Sequence, residues 1–398
     1  MKPLSKLASG VHASSTLAID ALYKSMKAQG IDVVGFGAGE PDFPTPDNIK
    51  EACIRALSEN KTKYTPASGI PELKAAICYR MKEDCGLDYQ PENVLIASGA
   101  KHNVYLAVRA LVDPGDEVVI PAPYWVSYSE IVLMCGGVPV IAQTREADEF
   151  KLTPEELDAA ITEKTKCVLF NSPSNPTGMM YTKEDLRALA DVCIRRDVYI
   201  IADEIYYKLV YDGREFFSIA ALGEDVKERT ILINGVSKSY AMTGWRIGYA
   251  LSPAPITKVM ANYVSHSTGA PSTLSQWAAV DALMGPQTEA EEMRKAFEAR
   301  RNYMVARCNA IDGVSCLMPE GAFYIMMNIS KVLGRSLHGR LIDSCDTFAS
   351  LLLEEGKVAV VPGSGFDAPH FVRWSYATSM ENIKEGMDRL ERFLKTLD

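Results

Sequence analysis

Short apolar runs rich in Val and Ile recur along the chain at 94–97, 117–121, 138–142, 167–171, 198–202, 230–234 and 247–251. Between several of them the apolar positions change to helical spacing, at about 102–112, 126–134, 154–162 and 183–196. Near-continuous apolar runs of four or five residues fit strands buried on both faces, and the helical stretches are what would cover them. Two helices announce their own start. Thr153-Pro154-Glu155-Glu156 and Thr182-Lys183-Glu184-Asp185 each set a hydroxyl cap ahead of acidic first-turn residues. Strands alternating with helices predict an α/β domain on a mostly parallel seven-stranded sheet. After about residue 285 the texture changes. A long charged helix at about 287–310 leads to strands at 323–328, 358–361 and 371–376, then to a last helix over 380–396 with a Thr378–Glu381 capping box. This reads as a smaller α+β domain. The Gly- and Pro-rich segment before residue 45 stands outside the alternation and is grouped with it. The expected division is therefore 1–45 with 285–398, and 46–284.

Composition narrows the class of molecule. The 398 residues are 47% apolar and 23% charged, globular proportions that argue against disorder or a coiled coil. Lys and Arg number 42 against 51 Asp and Glu, a formal net charge of −9 that speaks against nucleic acid as the main partner. No apolar run reaches the ~18 residues of a membrane helix. The first ten residues lack an apolar signal core, and the first arginine is Arg55. Nine scattered cysteines without a C-x-x-C pair fit reduced thiols in the cytoplasm. A soluble intracellular enzyme or binding protein is expected.

In open parallel sheets ligands sit beyond the carboxyl ends of the strands, so the residues just after each strand are the place to look. After 94–97 comes Ser98-Gly99-Ala100-Lys101 and a helix, a turn that lets backbone N–H groups approach an anion or simply turns the chain. After 167–171 comes Asn171-Ser172-Pro173-Ser174-Asn175-Pro176-Thr177-Gly178, where Asn175 either offers its amide to a ligand or closes an Asx-turn. After 198–202 come Asp203, Glu204, Ile205 and Tyr206. An acid at a buried strand end is costly unless paired, and a surface salt bridge suits Glu204 better than Asp203. After 230–234 Lys238 stands among small, apolar and hydroxyl residues, with Arg246 eight positions on. Desolvation there favours the neutral amine that a Schiff-base lysine requires, although most lysines are solvated.

In this order the segments resemble class I aminotransferases, pyridoxal phosphate (PLP) enzymes of fold type I. The likeness runs from Gly37-Ala38-Gly39-Glu40-Pro41-Asp42-Phe43 to Arg373-Trp374-Ser375-Tyr376-Ala377. It is most specific from Ser237-Lys238 through Trp245-Arg246-Ile247-Gly248-Tyr249. Within the class the chain is most similar to bacterial aspartate aminotransferases, which implies amino-group transfer between aspartate and 2-oxoglutarate. The resemblance implies that Lys238 holds the cofactor and moves the Cα proton. It makes Asp203 the partner of the pyridine nitrogen, places Tyr206 and Asn175 on the cofactor's O3′, and stacks Trp125 on the ring. Gly99, Ala100, Ser237 and Arg246 would hold the phosphate, joined by Tyr64 from a neighbouring subunit, which implies a homodimer with shared sites. Arg373 would grip the substrate α-carboxylate, with the Gly39 N–H beside it.

A dicarboxylic substrate needs a second cation. In one branch of the family it is a partner arginine from the segment matching 262–276, which has no arginine here. The other branch uses a lysine beside the phosphate turn with nearby hydroxyls, matched by Lys101, Ser15 and Thr16. Lys101 would then touch both cofactor and substrate. Ala100 replaces a common glycine, His102 a frequent glutamine, and Trp374 a smaller aliphatic residue that strand alternation would turn away from Arg373's face.

Rival readings fare worse. Gly35-Phe36-Gly37-Ala38-Gly39-Glu40 fails as a dinucleotide fingerprint, because Glu40 takes the third glycine's place and Pro41, Pro44 and Pro46 forbid the helix. A PLP-sensing transcription regulator would need a DNA-binding module for which no N-terminal extension is expected. An aminotransferase of broader specificity (aromatic, prephenate or alanine) and a C–S lyase of the same fold remain alternatives. No metal site is expected.

Overall fold

The computed structural model describes residues 2–12 and 15–398, without the side chains of residues 15–18 and 20. A two-residue strand, β1 (Val34–Gly35), comes first. Then β2 (Val94–Ala97), β3 (Glu117–Ala122), β4 (Val138–Gln143), β5 (Thr165–Asn171), β6 (Tyr199–Asp203), β7 (Thr230–Gly235) and β8 (Gly248–Leu251) build one sheet. Its order is β2-β8-β7-β6-β5-β3-β4. β8 alone runs against the direction of the other six. The seven apolar runs are thus the seven strands, in a mostly parallel α/β sheet covered by helices.

Alternation along β6 sorts its side chains. Ile201 joins the apolar layer formed with helices Ala100–Leu111 and Ser127–Met134. Ile200 and Ala202 join the opposite layer with helices Pro154–Ala160 and Lys183–Arg195. Both predicted capping boxes form, Thr153 with Glu156 and Thr182 with Asp185, each worth on the order of 1 kcal/mol. With both faces buried, the sheet is a rigid platform whose carboxyl ends hold loops in place.

Beyond helix Thr288–Ala310 follow β9 (Tyr324–Asn328), β10 (Ser336–Leu337), β11 (Arg340–Leu341), β12 (Val358–Ala359), β13 (Val361–Pro362) and β14 (Phe371–Ser375). Strands β13, β14 and β9 form an antiparallel sheet, and β10 pairs β11. The expected strand at 358–361 is in fact two. Val358–Ala359 pairs in parallel with β1, and after Val360 the chain changes partner to β14. The first pairing brings the 34–37 segment to the C-terminal part. The last helix, Met380–Lys395, is capped by Ser379, whose hydroxyl accepts from Asn382 N. The expected Thr378–Glu381 box does not form; Thr378 Oγ1 accepts from the Asn382 side chain instead. Trp374 is fully buried against Phe36, with ring centres 4.7 Å apart, on the face opposite Arg373 as alternation requires.

Candidate active site

The strand ends converge on one cavity of about 480 Å³. Its wall includes Gly39, Ala100, Lys101, Trp125, Asn175, Asp203, Tyr206, Ser237, Lys238, Arg246 and Arg373, residues the sequence had singled out separately. Lys238 donates to the Gly39 carbonyl at 2.5 Å. Burial pulls its amine down to about 8; Glu40 opposes that shift, and Arg246 and Arg373 reinforce it. An amine half neutral near pH 8 is ready to act as nucleophile and base.

Asp203 closes β6 on the parity of Ile201 and meets the Tyr128 hydroxyl, which donates to Oδ2 at 2.7 Å. The Ile205 N–H reaches Oδ1 at 3.3 Å. Burial raises the carboxyl to about 6, and these two bonds and Lys238 hold it back. It therefore keeps its charge at neutral pH and awaits a cation.

Glu204 has the opposite parity, and here the sequence reading is corrected. It forms no surface salt bridge: it is 3% exposed, and Oε1 accepts from the Ser218 hydroxyl and the Ile219 N–H while Oε2 has no partner. Burial pushes this carboxyl to about 8.

Arg373 is 1% exposed on β14, and among the described residues it bonds only neutral oxygens, Asn175 Oδ1 and the Gly37 carbonyl, both at 2.9 Å. Its Nε has no partner. The guanidinium lies between the rings of Tyr324 at 4.5 Å and Phe366 at 5.1 Å. A buried cation without an anion is expensive, so this geometry is built for one that arrives. The side-chain bond that pins this loop belongs to Asn171 and not to Asn175: its Oδ1 accepts from Asn175 N at 2.7 Å and its amide donates to the Asp203 carbonyl at 2.8 Å. That frees the Asn175 side chain for the cavity.

Backbone shape makes the anion turn. Gly99 has φ +89°, and a Cβ there would strike the Arg246 guanidinium. A Cβ on Gly248 would strike the Gly99–Ala100 backbone. Both glycines thus allow β8 and the start of helix Ala100–Leu111 to close on Arg246, which among the described residues bonds only the carbonyls of Thr243 and Ser98. Helix N–H groups and an arginine facing one spot suit a phosphate. Lys101 lies over Trp125, 4.8 Å from the ring centre, its pKa lowered by burial and by Arg246. Tyr64 lies outside the cavity and is fully exposed. Ser15 and Thr16 open helix Ser15–Ala28, and their side chains fall outside the described residues.

Sequence reasoning missed Tyr128, Asn171 and Tyr324. The one signal for Tyr128 was its place three residues after Trp125: Trp125 lies just before helix Ser127–Met134, the Tyr128 N–H bonds its carbonyl at 2.9 Å, and the two rings meet edge-on at 5.3 Å. The hydrogen bond to Tyr128 favours the ionised form of Asp203, so Tyr128→Phe should raise the Asp203 pKa further. PLP affinity should then fall roughly tenfold at pH 6–7 and recover toward pH 8, where Asp203 ionises regardless. A pH-independent affinity equal to the parent's would refute the link.

The family model for aminotransferases of class I and II matches residues 31–390. An aspartate aminotransferase of Bacillus sp. (strain YM-2) is 51% identical over 382 residues, covering 96% of each chain. That of Bacillus subtilis (strain 168) is 49% identical over 392 residues, 98% of this chain and 99% of its own. Among solved structures, the aspartate aminotransferase of Rhizobium meliloti superposes with a TM-score of 0.97 at 44% identity over the whole of both chains. That of Thermus thermophilus with maleate reaches 0.92 at 41% identity, over 99% of this chain and 100% of its own. The chain belongs to the class I and II aminotransferases, with the type I fold. It is accordingly a PLP-dependent transaminase, acting on amino acids and 2-oxo acids.

The cavity fits that cofactor. A carboxylate with no cation at hydrogen-bond range among the described residues, a phosphate-shaped turn and a depressed lysine amine meet at one cavity, as pyridine nitrogen, phosphate and aldehyde require. Asp203, the Gly99–Ala100 turn with Arg246 and Ser237, Tyr206, and Lys238 would hold it.

Proposed function

We propose that the chain catalyses reversible transfer of the amino group from L-aspartate to 2-oxoglutarate, giving oxaloacetate and L-glutamate. The observation that carries this is that Lys101, over Trp125, shares one cavity with the buried Arg373, a pair of cations beside Lys24, Lys238 and Arg246 on the same lining. A dicarboxylate can be held at both ends by such a pair; a monocarboxylate uses only one. The names of the relatives and the maleate of the Thermus structure, a dicarboxylate, support the same reading.

When bound, PLP supplies the carbonyl that accepts the amino group and a ring that takes up the electron pair left at Cα. The protein's part follows from its own groups. Arg373 fixes the α-carboxylate in a bidentate fork and so aims the Cα–H bond. Lys238, its amine depressed by burial, would take the proton from Cα and deliver it across the transferred nitrogen, two bonds along, to the carbon that PLP supplies as its carbonyl. Asp203, whose ionised form the Tyr128 hydroxyl favours, would hold a proton on the ring nitrogen. Trp125, on the cavity lining, would cover the ring and exclude water there.

Lys101→Ser should lower kcat/KM for aspartate and glutamate by roughly 10- to 100-fold, the value of one charge-assisted bond, with alanine and phenylalanine much less affected. An equal loss for all four amino acids would assign Lys101 to the phosphate and remove the main support for dicarboxylate selectivity. A relative from Cereibacter sphaeroides, 47% identical, is named an aspartate/prephenate aminotransferase. Prephenate therefore belongs in the same substrate panel.

A homodimer with shared sites is part of the proposal. It is supported by Tyr64, which one chain leaves wholly in solvent. Mixed Lys238→Ala and Tyr64→Ala chains should regain activity, because one hybrid site then carries both defects and the other neither. Mixtures no better than either parent would argue for unshared sites. Nine free cysteines, buried or half-buried, support a cytoplasmic location. Among the described residues no helix is long and apolar enough to cross a membrane.

A further inference from the structure

Tyr324 belongs to no part of the expected site, yet it touches two of its working groups. It opens β9, where Met326 stands opposite Arg373 on β14. Tyr324 is therefore Arg373's diagonal neighbour on the same face of the sheet, and its ring supports the guanidinium at 4.5 Å. Its hydroxyl lies 3.1 Å from the Tyr206 hydroxyl, with the rings edge-on at 5.9 Å. A Cβ at Gly39 would come within 3.2 Å of that same oxygen, so the hydroxyl also sits under the backbone whose carbonyl holds Lys238. Both tyrosines are fully buried. The charged groups around the pair are Arg373 from β14, Lys238 from the loop after β7 and Asp203 from β6.

We infer that Tyr324 is a positioning residue that sets the direction of the Tyr206 hydrogen bond while bracing Arg373. The argument is one of counting protons. A phenol has one proton to give. If Tyr206 donates to the cofactor's O3′, it cannot also donate to Tyr324, so Tyr324 must donate to Tyr206. The result is a two-phenol relay in which the second hydroxyl strengthens the first as a donor. Its ring serves the other site, holding the α-carboxylate arginine flat beneath the substrate. One side chain thus joins the grip on the amino acid to the charge on the cofactor, and its two halves separate by substitution. Phe keeps the ring and loses the relay; Leu loses both.

This inference rests on the transaminase reading, and the test keeps the two apart. The parent and Tyr324→Phe are loaded with PLP, and the absorbance of the bound cofactor is titrated against pH, with circular dichroism to verify folding. A weaker donor leaves O3′ more basic, so the midpoint should move upward by about 0.3 to 1 pH unit. KM for aspartate should stay within about twofold while kcat falls, because the ring still braces Arg373. In Tyr324→Leu the midpoint should shift likewise and KM should rise about tenfold. An unshifted midpoint in a folded, PLP-loaded Tyr324→Phe protein overturns the relay, as does a raised KM with unchanged titration. If the parent chain takes up no PLP at all, the reading of the site fails and the relay with it.

Discussion

Replacing Lys238 with alanine should lower turnover more than about 10⁴-fold, since it removes the nucleophile and the base in one step. PLP should still bind, because Arg246, the Gly99–Ala100 turn and Asp203 are untouched. In the parent chain, borohydride reduction followed by peptide mapping should place the pyridoxyl group on Lys238. A label on Lys101 or Lys208 would reassign the site. Lys208 is the sterner control, because it is poorly exposed, as Lys238 is, yet lies outside the cavity and is tied to Asp84 at 2.6 Å.

Replacing Arg373 with leucine should lower kcat/KM by about 10² to 10⁴ for every amino acid, as expected for two lost charge-assisted bonds. The uniformity is the diagnostic, since Lys101→Ser should discriminate among substrates. Arg373→Lys guards against misfolding. It retains the charge but not the fork, so most of the loss should persist in a folded protein. Alanine turnover within about threefold of the parent would show that the α-carboxylate is gripped elsewhere.

The sheet was legible because strands buried on both faces carry unbroken apolar runs, and all seven lay where such runs stood. Strand direction was not, since a run reads the same for β8 as for its parallel neighbours. The stretch Val358–Pro362 is apolar throughout and conceals its change of partner at Val360. At the site, the charged residues stood out by their position after strands. Tyr128 and Tyr324 did not, because an aromatic on a helix face or in a strand looks like core until its hydroxyl is seen to have a partner. Glu204 misled for a related reason: an acid beside Asp203 reads as surface, whereas parity turns it into the far layer of the sheet.

That inward turn of Glu204 makes folding a proton-uptake reaction. Near pH 7 the unfolded chain carries this carboxyl ionised, with a pKa of about 4.3, while the folded chain keeps it protonated to about pH 8. The folded pKa is the higher one, so the contribution to stability is whole below about pH 4.3 and drains away as pH climbs through 8. The loss is spread over the neutral range, so by the pH at which half of Lys238 is neutral for chemistry the platform that holds it has given up most of what Glu204 contributes.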